Sequence, residues 1–201
     1  MTILNYGYLQ AKYGDDDLHG LEELNLRSLK ITEIESNTFS NLINLQTLNL
    51  SENQLKSIDA NLFSNLINLQ ELDLYKNQLQ SIDANLFSNL INLQKLDLSY
   101  NKFEYINENV FAKLNELQML NLSSNQLQLI EENAFVNLSN LEKLHLQNNQ
   151  LQFIHENLFA SLNNLRELYL DLDLLRIDDK KRLDNILKHL VQLDFISNEL
   201  R

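Results

Sequence analysis

Residues 53–70 read NQLKSIDANLFSNLINLQ, and residues 77–94 repeat this stretch 24 positions later with a single change, Gln80 in place of Lys56. A match of this length at a fixed offset indicates an internal repeat. The period continues in both directions, because six units of 24 residues cover positions 21–164 without an insertion or a deletion and a seventh, partial unit follows. Such a period is typical of a solenoid, in which each unit packs only against its neighbours.

Each unit has the form L-x-x-L-x-L-x-x-N-x-L-x-x-I-x-x-N-x-F-x-x-L-x-x. Its first part alternates apolar and polar residues, as at Leu72 and Leu74, and this predicts a short strand with one buried face. Its second part spaces the apolar residues more widely, as at Ile82, Phe87 and Leu90, which is typical of a turn or a short 3₁₀ piece. Stacking such units predicts a parallel sheet that bends towards the side with the smaller element.

Two side-chain types recur once in each unit and predict two stabilising columns. The asparagine stands where the strand must leave the sheet, and its amide can satisfy backbone groups of its own turn and of the neighbouring unit. Because proline is absent and all three glycines precede the first unit, we expect asparagine to make these turns. The inner asparagines are Asn53, Asn77, Asn101, Asn125 and Asn149, and the phenylalanines of the second column are Phe39, Phe63, Phe87, Phe111, Phe135 and Phe159.

The pattern L-x-x-L-x-L-x-x-N-x-L resembles the leucine-rich repeat over residues 21 to 175. The resemblance implies a right-handed α/β solenoid with a curved parallel sheet on the concave side and loops or 3₁₀ turns on the convex side. The 24-residue unit with its phenylalanine is similar to the subclass common in extracellular recognition proteins of animals. The cysteine caps of that subclass are missing here, and the asparagine position holds Leu29 in the first unit and Asp173 in the last.

The chain is predicted to comprise an N-terminal cap (1–20), the repeats (21–175) and a C-terminal cap (176–201). In the first segment, near-alternation from Ile3 to Leu9 predicts a short strand against the first repeat, and Asp15–Asp17 predict a solvated turn. In the last segment, apolar residues fall on one stripe of an amphipathic helix. These residues are Leu183, Ile186, Leu187, Leu190 and Val191. Whether Leu193 and Phe195 add an edge strand is left open.

Composition limits the classes of partner and site. Hydrophobic residues make up 44% of the chain, enough for a continuous core, and the lack of cysteine excludes disulfides and thiolate metal sites. A net charge of −12 argues against nucleic acid and anionic membranes as partners, and it agrees with a partner that carries a basic patch. No apolar run approaches the length of a membrane span, so we expect no membrane insertion, and we expect a monomer.

The compartment stays open at this level. The first residues, MTILNYGYLQ, lack both the basic start and the apolar stretch of a secretory signal. The resemblance to extracellular recognition proteins favours a location outside the cell. The missing cysteines and the missing signal also suit the cytoplasm.

No catalytic arrangement emerges from the sequence, so we expect no enzyme activity, no cofactor and no resident metal. The four histidines, His19, His145, His155 and His189, fall in different parts of the unit or outside the repeats. Asp73 and Asp97 share one strand position in adjacent units, about 4.8 Å apart. Paired carboxylates can bind a cation or share a proton, but a solvated polar ladder is the favoured interpretation.

The positions that vary between units lie on the concave face, where a scaffold needs only polarity. Exposed tyrosine and methionine there suggest a contact surface, because both are enriched in interface cores. The candidate ligand-binding residues are Asn49, Asp73, Tyr75, Lys76, Asp97, Tyr100, Met119, Asn121, His145 and Tyr169. The resulting hypothesis is a non-catalytic recognition module for a protein or other macromolecule. The alternative is a structural protein that self-assembles through its ends or its acidic flank.

Overall fold

The computed structural model describes residues 2–171, 174–176 and 194–196. Its elements, in chain order, are β1 (Thr2–Leu4), α1 (Tyr6–Tyr13), α2 (Asp15–Gly20), β2 (Glu23–Asn25), β3 (Ile31–Ile34), β4 (Thr47–Asn49), β5 (Glu71–Asp73), β6 (Lys95–Asp97), β7 (Tyr105–Ile106), β8 (Met119–Asn121), β9 (Leu129–Ile130), β10 (Lys143–His145), β11 (Glu167–Tyr169) and β12 (Asp194–Ile196).

An eight-stranded parallel sheet forms one side of the molecule, in the order β12-β11-β10-β8-β6-β5-β4-β2. Within the repeats each residue pairs with the residue one unit away, so that Leu48, Leu72 and Leu96 lie side by side. The central leucine of each of these strands is buried and its two neighbours are not. The predicted parallel-sheet solenoid is therefore confirmed, and so is the alternation that led to it.

The return segments on the convex side form turns rather than a helix. In one unit Ser64 N donates to Asn61 O, Leu66 N to Phe63 O and Leu69 N to Leu66 O, each at 3.0 Å. These bonds advance by two or three residues at a time, whereas a 3₁₀ helix needs one at every residue. Within the described ranges no 3₁₀ helix forms, and short parallel pairs, β7 with β9 and β1 with β3, accompany the turns.

Leucine and phenylalanine columns fill the space between the sheet and the turns. The six phenylalanines of the predicted column are at most 1% exposed. Phe111 stacks between Phe87, at 6.4 Å between ring centroids, and Phe135, at 6.2 Å. These rings join one unit to the next along the array, as the sequence predicted.

The asparagine column is buried and bonds as expected. Asn101 is 6% exposed, and its Oδ1 accepts from Leu79 N of the preceding unit at 3.0 Å. Its Nδ2 group lies within 3.2 Å of three carbonyl oxygens, of Leu74, Leu98 and Ser99. One side chain thus bonds backbone groups of its own turn and of its neighbour, which confirms the prediction.

The prediction that asparagine itself supplies the turn conformation was wrong. The residue immediately before each of these asparagines has a left-handed backbone, with φ between 54° and 59°. These residues are Glu52, Lys76, Tyr100, Ser124 and Asn148. Left-handed backbone is uncommon outside glycine and is least favourable for a bulky side chain. The asparagine holds the turn by hydrogen bonds, and the residue before it makes the turn.

Two further asparagine columns, not predicted, link the return segments. Asn68 Nδ2 donates to Ile43 O at 2.9 Å and Asn65 Nδ2 donates to Ser40 O at 2.9 Å, in each case to the preceding unit. Their equivalents recur through most of the array. Lys113 and Glu116 replace both asparagines in the fourth unit.

The N-terminal segment differs from its prediction. Only Thr2–Leu4 form a strand, which pairs in parallel with β3, and the tyrosines that follow lie in α1. Asn5 begins that helix, because its side chain accepts from Tyr8 N at 3.0 Å as an N-cap. Asp15–Asp17, expected as a solvated turn, instead begin α2, which continues to Gly20. Leu4, Leu9 and Leu18 of this segment are buried in the common core.

The predicted C-terminal helix over residues 183–191 lies outside the described residues. The edge strand that the sequence left open does occur, because β12 pairs in parallel with β11. The division of the chain at 20 and 175 stays a prediction. Among the described residues, no helix has the length and apolar character needed to cross a bilayer.

Candidate functional site

The concave face consists of the side chains that project from the open side of the eight-stranded sheet. Four candidate residues there support the turn that ends each strand. Asn49 Oδ1 accepts from Ser51 N at 2.9 Å, and Asp97 Oδ1 accepts from Ser99 N at 2.8 Å. Asp73 and Asn121 make the same bond two residues ahead. Since Asn and Asp favour such local bonds, their recurrence at this position serves the fold.

The carboxylates of Asp73 and Asp97 belong to directly paired residues of β5 and β6. They border an open cavity of about 250 Å³ on the concave face. Burial raises the pKa of Asp73, and the neighbouring charge of Asp97 raises it further. The cavity is lined by Thr47, Leu48, Asn49, Glu71, Leu72, Asp73, Lys95, Leu96, Asp97 and Met119.

Apart from the three leucines, the lining residues that were not among the candidates are Thr47, Glu71 and Lys95. All three occupy the third position of the repeat, where the sequence analysis singled out Met119 alone. Lys95 Nζ lies 2.6 Å from Glu71 Oε1 across the two strands. The opposite charges at this position of adjacent units were visible in the sequence and are the signal by which such a pair can be found.

Basic groups of the described concave face lie close to carboxylates. Glu52 lies 3.0 Å from Arg27 and 3.8 Å from Lys76, and Lys143 lies 2.7 Å from Glu167. Hydrogen bonds from Ser28 and Arg27 lower the pKa of Glu52. Lys76, a candidate for ligand contact, is thus already partnered. The charge left at the cavity is that of the two aspartates.

The aromatic candidates fall into two pairs rather than the single cluster expected. Tyr75 and Tyr100 meet edge to face at 5.2 Å between centroids, and His145 and Tyr169 do so at 4.5 Å. Strand β8 lies between the two pairs, because His145 and Tyr169 belong to β10 and β11, and Tyr75 and Tyr100 follow β5 and β6. Tyr100 is 53% exposed, whereas the other three are only partly exposed. Burial lowers the pKa of His145, which favours the neutral ring at pH 7.

The His145–Tyr169 end also contains polar atoms that lack a protein partner. His145 Nε2 and Gln147 Oε1 are buried without a hydrogen bond. Groups of three His, Asp or Glu residues arranged to hold a metal ion do not occur within the described parts of the chain.

Comparison with known proteins agrees with this architecture. A family model described as leucine rich repeat matches residues 19–79, 67–127 and 120–175. The chain belongs to the leucine-rich repeat family. No curated protein matches this leucine-rich repeat chain at a significant level.

Two solved structures with this leucine-rich repeat fold are complexes. The crystal structure of the TLR13–ssRNA13 complex is 32% identical with a TM-score of 0.71, and the match covers 85% of this chain. The structure of the Toll–Spatzle complex, described for Drosophila development and innate immunity, is 28% identical with a TM-score of 0.67 over 74% of this chain. The leucine-rich repeat chain spans only 27% and 21% of these two proteins.

The exclusion of nucleic acid as a partner, drawn from the net charge of −12, is contradicted by the first of these complexes, whose ligand is single-stranded RNA. Net charge is a sum over the whole chain. A ligand instead meets the charges of one face, and these can differ from the sum. Macromolecular binding in general agrees with both complexes.

Proposed function

We propose that the chain is a non-catalytic recognition module that binds a protein through the concave face of its repeats. The observation that carries this proposal is the placement of Tyr100. It stands at a left-handed backbone position, where a small residue costs less, and half of its side chain is exposed. The fold gains little from a large aromatic residue there, whereas an interface gains contact area.

The surroundings of Tyr100 suit a protein surface with basic side chains. Its ring contacts Tyr75, and both tyrosines follow the strands that carry Asp73 and Asp97. An apolar anchor beside a pair of carboxylates resembles the composition of protein interfaces, which combine aromatic cores with charged rims. Met119 at the far side of the cavity extends the apolar contact.

The proposal is tested by replacing Tyr75, Tyr100 and Tyr169 together with alanine. Binders are first selected on the immobilised wild-type chain from a displayed library of random peptides, and each binder is then measured on the variant. We expect most selected peptides to lose binding, because the main apolar contacts of the face are gone. The thermal unfolding curve should change little, since all three side chains are at least partly exposed.

A matched control replaces Ile43, Ile67 and Ile91 with alanine. These side chains are 49–54% exposed and lie four residues before a strand, outside the concave face. The control should bind the selected peptides as the wild type does. Unchanged binding of most selected peptides by the tyrosine variant would refute the concave site. A molar mass that grows with concentration in light scattering would favour self-assembly instead.

A further inference from the structure

A row of exposed apolar side chains lies on the return segments, away from the concave face. Tyr105, Leu129 and Phe153 are 42%, 45% and 38% exposed and occupy the same position of three successive units. Tyr105 and Leu129 are direct partners in the parallel pairing of β7 with β9. Neighbouring parallel strands lie about 4.8 Å apart, so these two side chains are adjacent. Phe153 has the equivalent position in the next unit, outside a strand, and the three residues are here called the outer stripe.

The repeat does not require apolar residues at this position. The three preceding units carry Glu33, Ser57 and Ser81 there, and they keep the same sheet and the same core. Copying of one unit does not explain the outer stripe either, because its three residues are all different. By contrast, the exposed row of Ile43, Ile67 and Ile91 lies within a copied sequence, NLINLQ.

The margin of the outer stripe is acidic. Along the chain, five glutamates stand within three residues of a stripe member, against one lysine, Lys102, and one histidine, His155. The glutamates are Glu104, Glu108, Glu131, Glu132 and Glu156. The next unit adds Arg176 at the Phe153 end, where its backbone N–H donates to Gln152 O at 3.3 Å. His155 Nδ1 lies 3.2 Å from Glu132 Oε1, so this histidine and this glutamate pair with each other and four glutamates remain.

The carboxylate of Glu131 is held beside the outer stripe by a stripe member, Tyr105. The hydroxyl of Tyr105 donates to Glu131 Oε1, and Glu108 N donates to Glu131 Oε2 at 2.7 Å. Both bonds favour the ionised carboxylate and lower the pKa of Glu131. The stripe therefore presents apolar area and fixed negative charge together.

The negative charge at the margin favours some binding partners of the outer stripe over others. A second copy docked stripe to stripe would bring two acidic margins together, and like charges across an interface oppose association. An anionic lipid surface is disfavoured for the same reason. We propose that the outer stripe is a second docking surface, which takes a cationic protein segment in which apolar side chains alternate with lysine or arginine.

The test measures a labelled synthetic peptide of alternating lysine and leucine by fluorescence anisotropy. One variant replaces Tyr105, Leu129 and Phe153 with serine, the residue found at this position in the second and third units. We expect its affinity for the peptide to fall about tenfold or more. A peptide of lysine alone should bind the wild type at least tenfold more weakly than the alternating peptide.

Two controls isolate the surface. Replacing Ile43, Ile67 and Ile91 with serine removes an equal number of exposed apolar residues elsewhere and should leave the affinity unchanged. Because the concave face also combines tyrosines with carboxylates, the stripe comparison is repeated in the alanine variant of the concave tyrosines, where the stripe substitutions should lower the affinity by the same factor. Failure of the concave proposal is thus distinguishable from failure of this one. If the serine stripe variant is less stable, Leu129→Lys serves instead. Its side chain is 45% exposed, and the added cation should repel the peptide.

Equal affinity of the wild type and of both stripe variants would overturn the proposal. So would equal loss in the isoleucine control, or equal binding of the lysine-only peptide. A molar mass in light scattering that doubles for the wild type, but not for the stripe variant, would show a second copy as the occupant and would also overturn it.

Discussion

The asparagine column makes a quantitative prediction because neighbouring asparagines share acceptors. Leu98 O accepts from Asn101 Nδ2 and from Asn125 Nδ2, each at 3.1 Å. Leu74 O is shared in the same way by Asn101 and the preceding asparagine, Asn77. Ser99 O, the third acceptor of Asn101, also accepts from a backbone N–H at 2.9 Å. Each carbonyl therefore keeps a partner when one asparagine is removed.

Asn101→Ala consequently leaves one buried group without a partner, the N–H of Leu79, a residue that is 2% exposed. An orphaned buried donor lowers the free energy of unfolding by about 1–3 kcal/mol. Asn125→Ala does the same to Phe103 N. The double variant orphans both N–H groups and also Leu98 O. We therefore expect it to lose about 1–3 kcal/mol more than the sum of the single losses.

The control pair is Asn77→Ala with Asn125→Ala, two asparagines that share no carbonyl. Their losses should add within about 0.5 kcal/mol. Urea unfolding followed by far-ultraviolet circular dichroism gives the free energy of unfolding for the three single variants and the two double variants. Additive losses in the adjacent pair, or equal coupling in both pairs, would refute the shared-acceptor account of the column.

Three further outcomes follow from the described contacts. Asp73→Asn should raise the free energy of unfolding at neutral pH by less than about 1 kcal/mol, since the group is half exposed. Burial raises the pKa of Asp73 above 3.8 in the folded state. Below pH 3.8 the carboxyl group is therefore neutral in both the folded and the unfolded state, and Asp73→Asn should no longer increase the free energy of unfolding. Phe111→Ala should lower the free energy of unfolding by about 3–5 kcal/mol, and Phe153→Ala, at a side chain that is 38% exposed, should lower it less, both measured by urea unfolding. Ser124→Gly should stabilise by up to about 1 kcal/mol, because its φ of 54° strains any residue with a Cβ, and a lower melting temperature would contradict this.

Periodicity predicted the parts of the fold in which one residue type has one task in every unit. The buried leucine of each strand, the asparagine that holds the turn and the phenylalanine column all repeat at 24 positions. Since their roles depend only on stacking, one unit implies the next. Asn65 and Asn68 also recur at 24 positions, but their bonds to the preceding unit were not predicted. A recurring polar residue on a return segment does not by itself distinguish a hydrogen-bonded side chain from a solvated one.

The N-terminal segment could not be predicted in this way, because nothing repeats there. Its apolar spacing near Leu4 and Leu9 suits both a strand and a helix. A helix forms after residue 5 because the side chain of Asn5 accepts a hydrogen bond from Tyr8 N and caps α1. The left-handed residues before each turn asparagine could not be predicted for another reason. Glu52, Lys76 and Tyr100 occupy this position and have no side-chain chemistry in common.

For the candidate site, the sequence identified the face but not its internal arrangement. Position in the repeat is enough to place a residue on the concave face. Whether that residue is free for a ligand depends on its neighbours. Lys76 proved to be paired with Glu52, and Asp97 accepts from Ser99 as well as from the amide of Asn121.

Every unit has the same backbone, so we expect the binding residues to be those that differ from the residue at the same position in the other units. Most departures fall in the C-terminal half. His145 and Tyr169 replace the Asn or Asp of the turn, and the outer stripe replaces serine or glutamate. The same half contains the buried polar atoms without partners, on His145 and Gln147. The early units, by contrast, nearly copy one another, and a surface shaped to a ligand would differ from unit to unit. Recognition on the outer stripe should therefore depend on residues after Lys95, whereas the concave site also uses Asp73 and Tyr75 of the third unit.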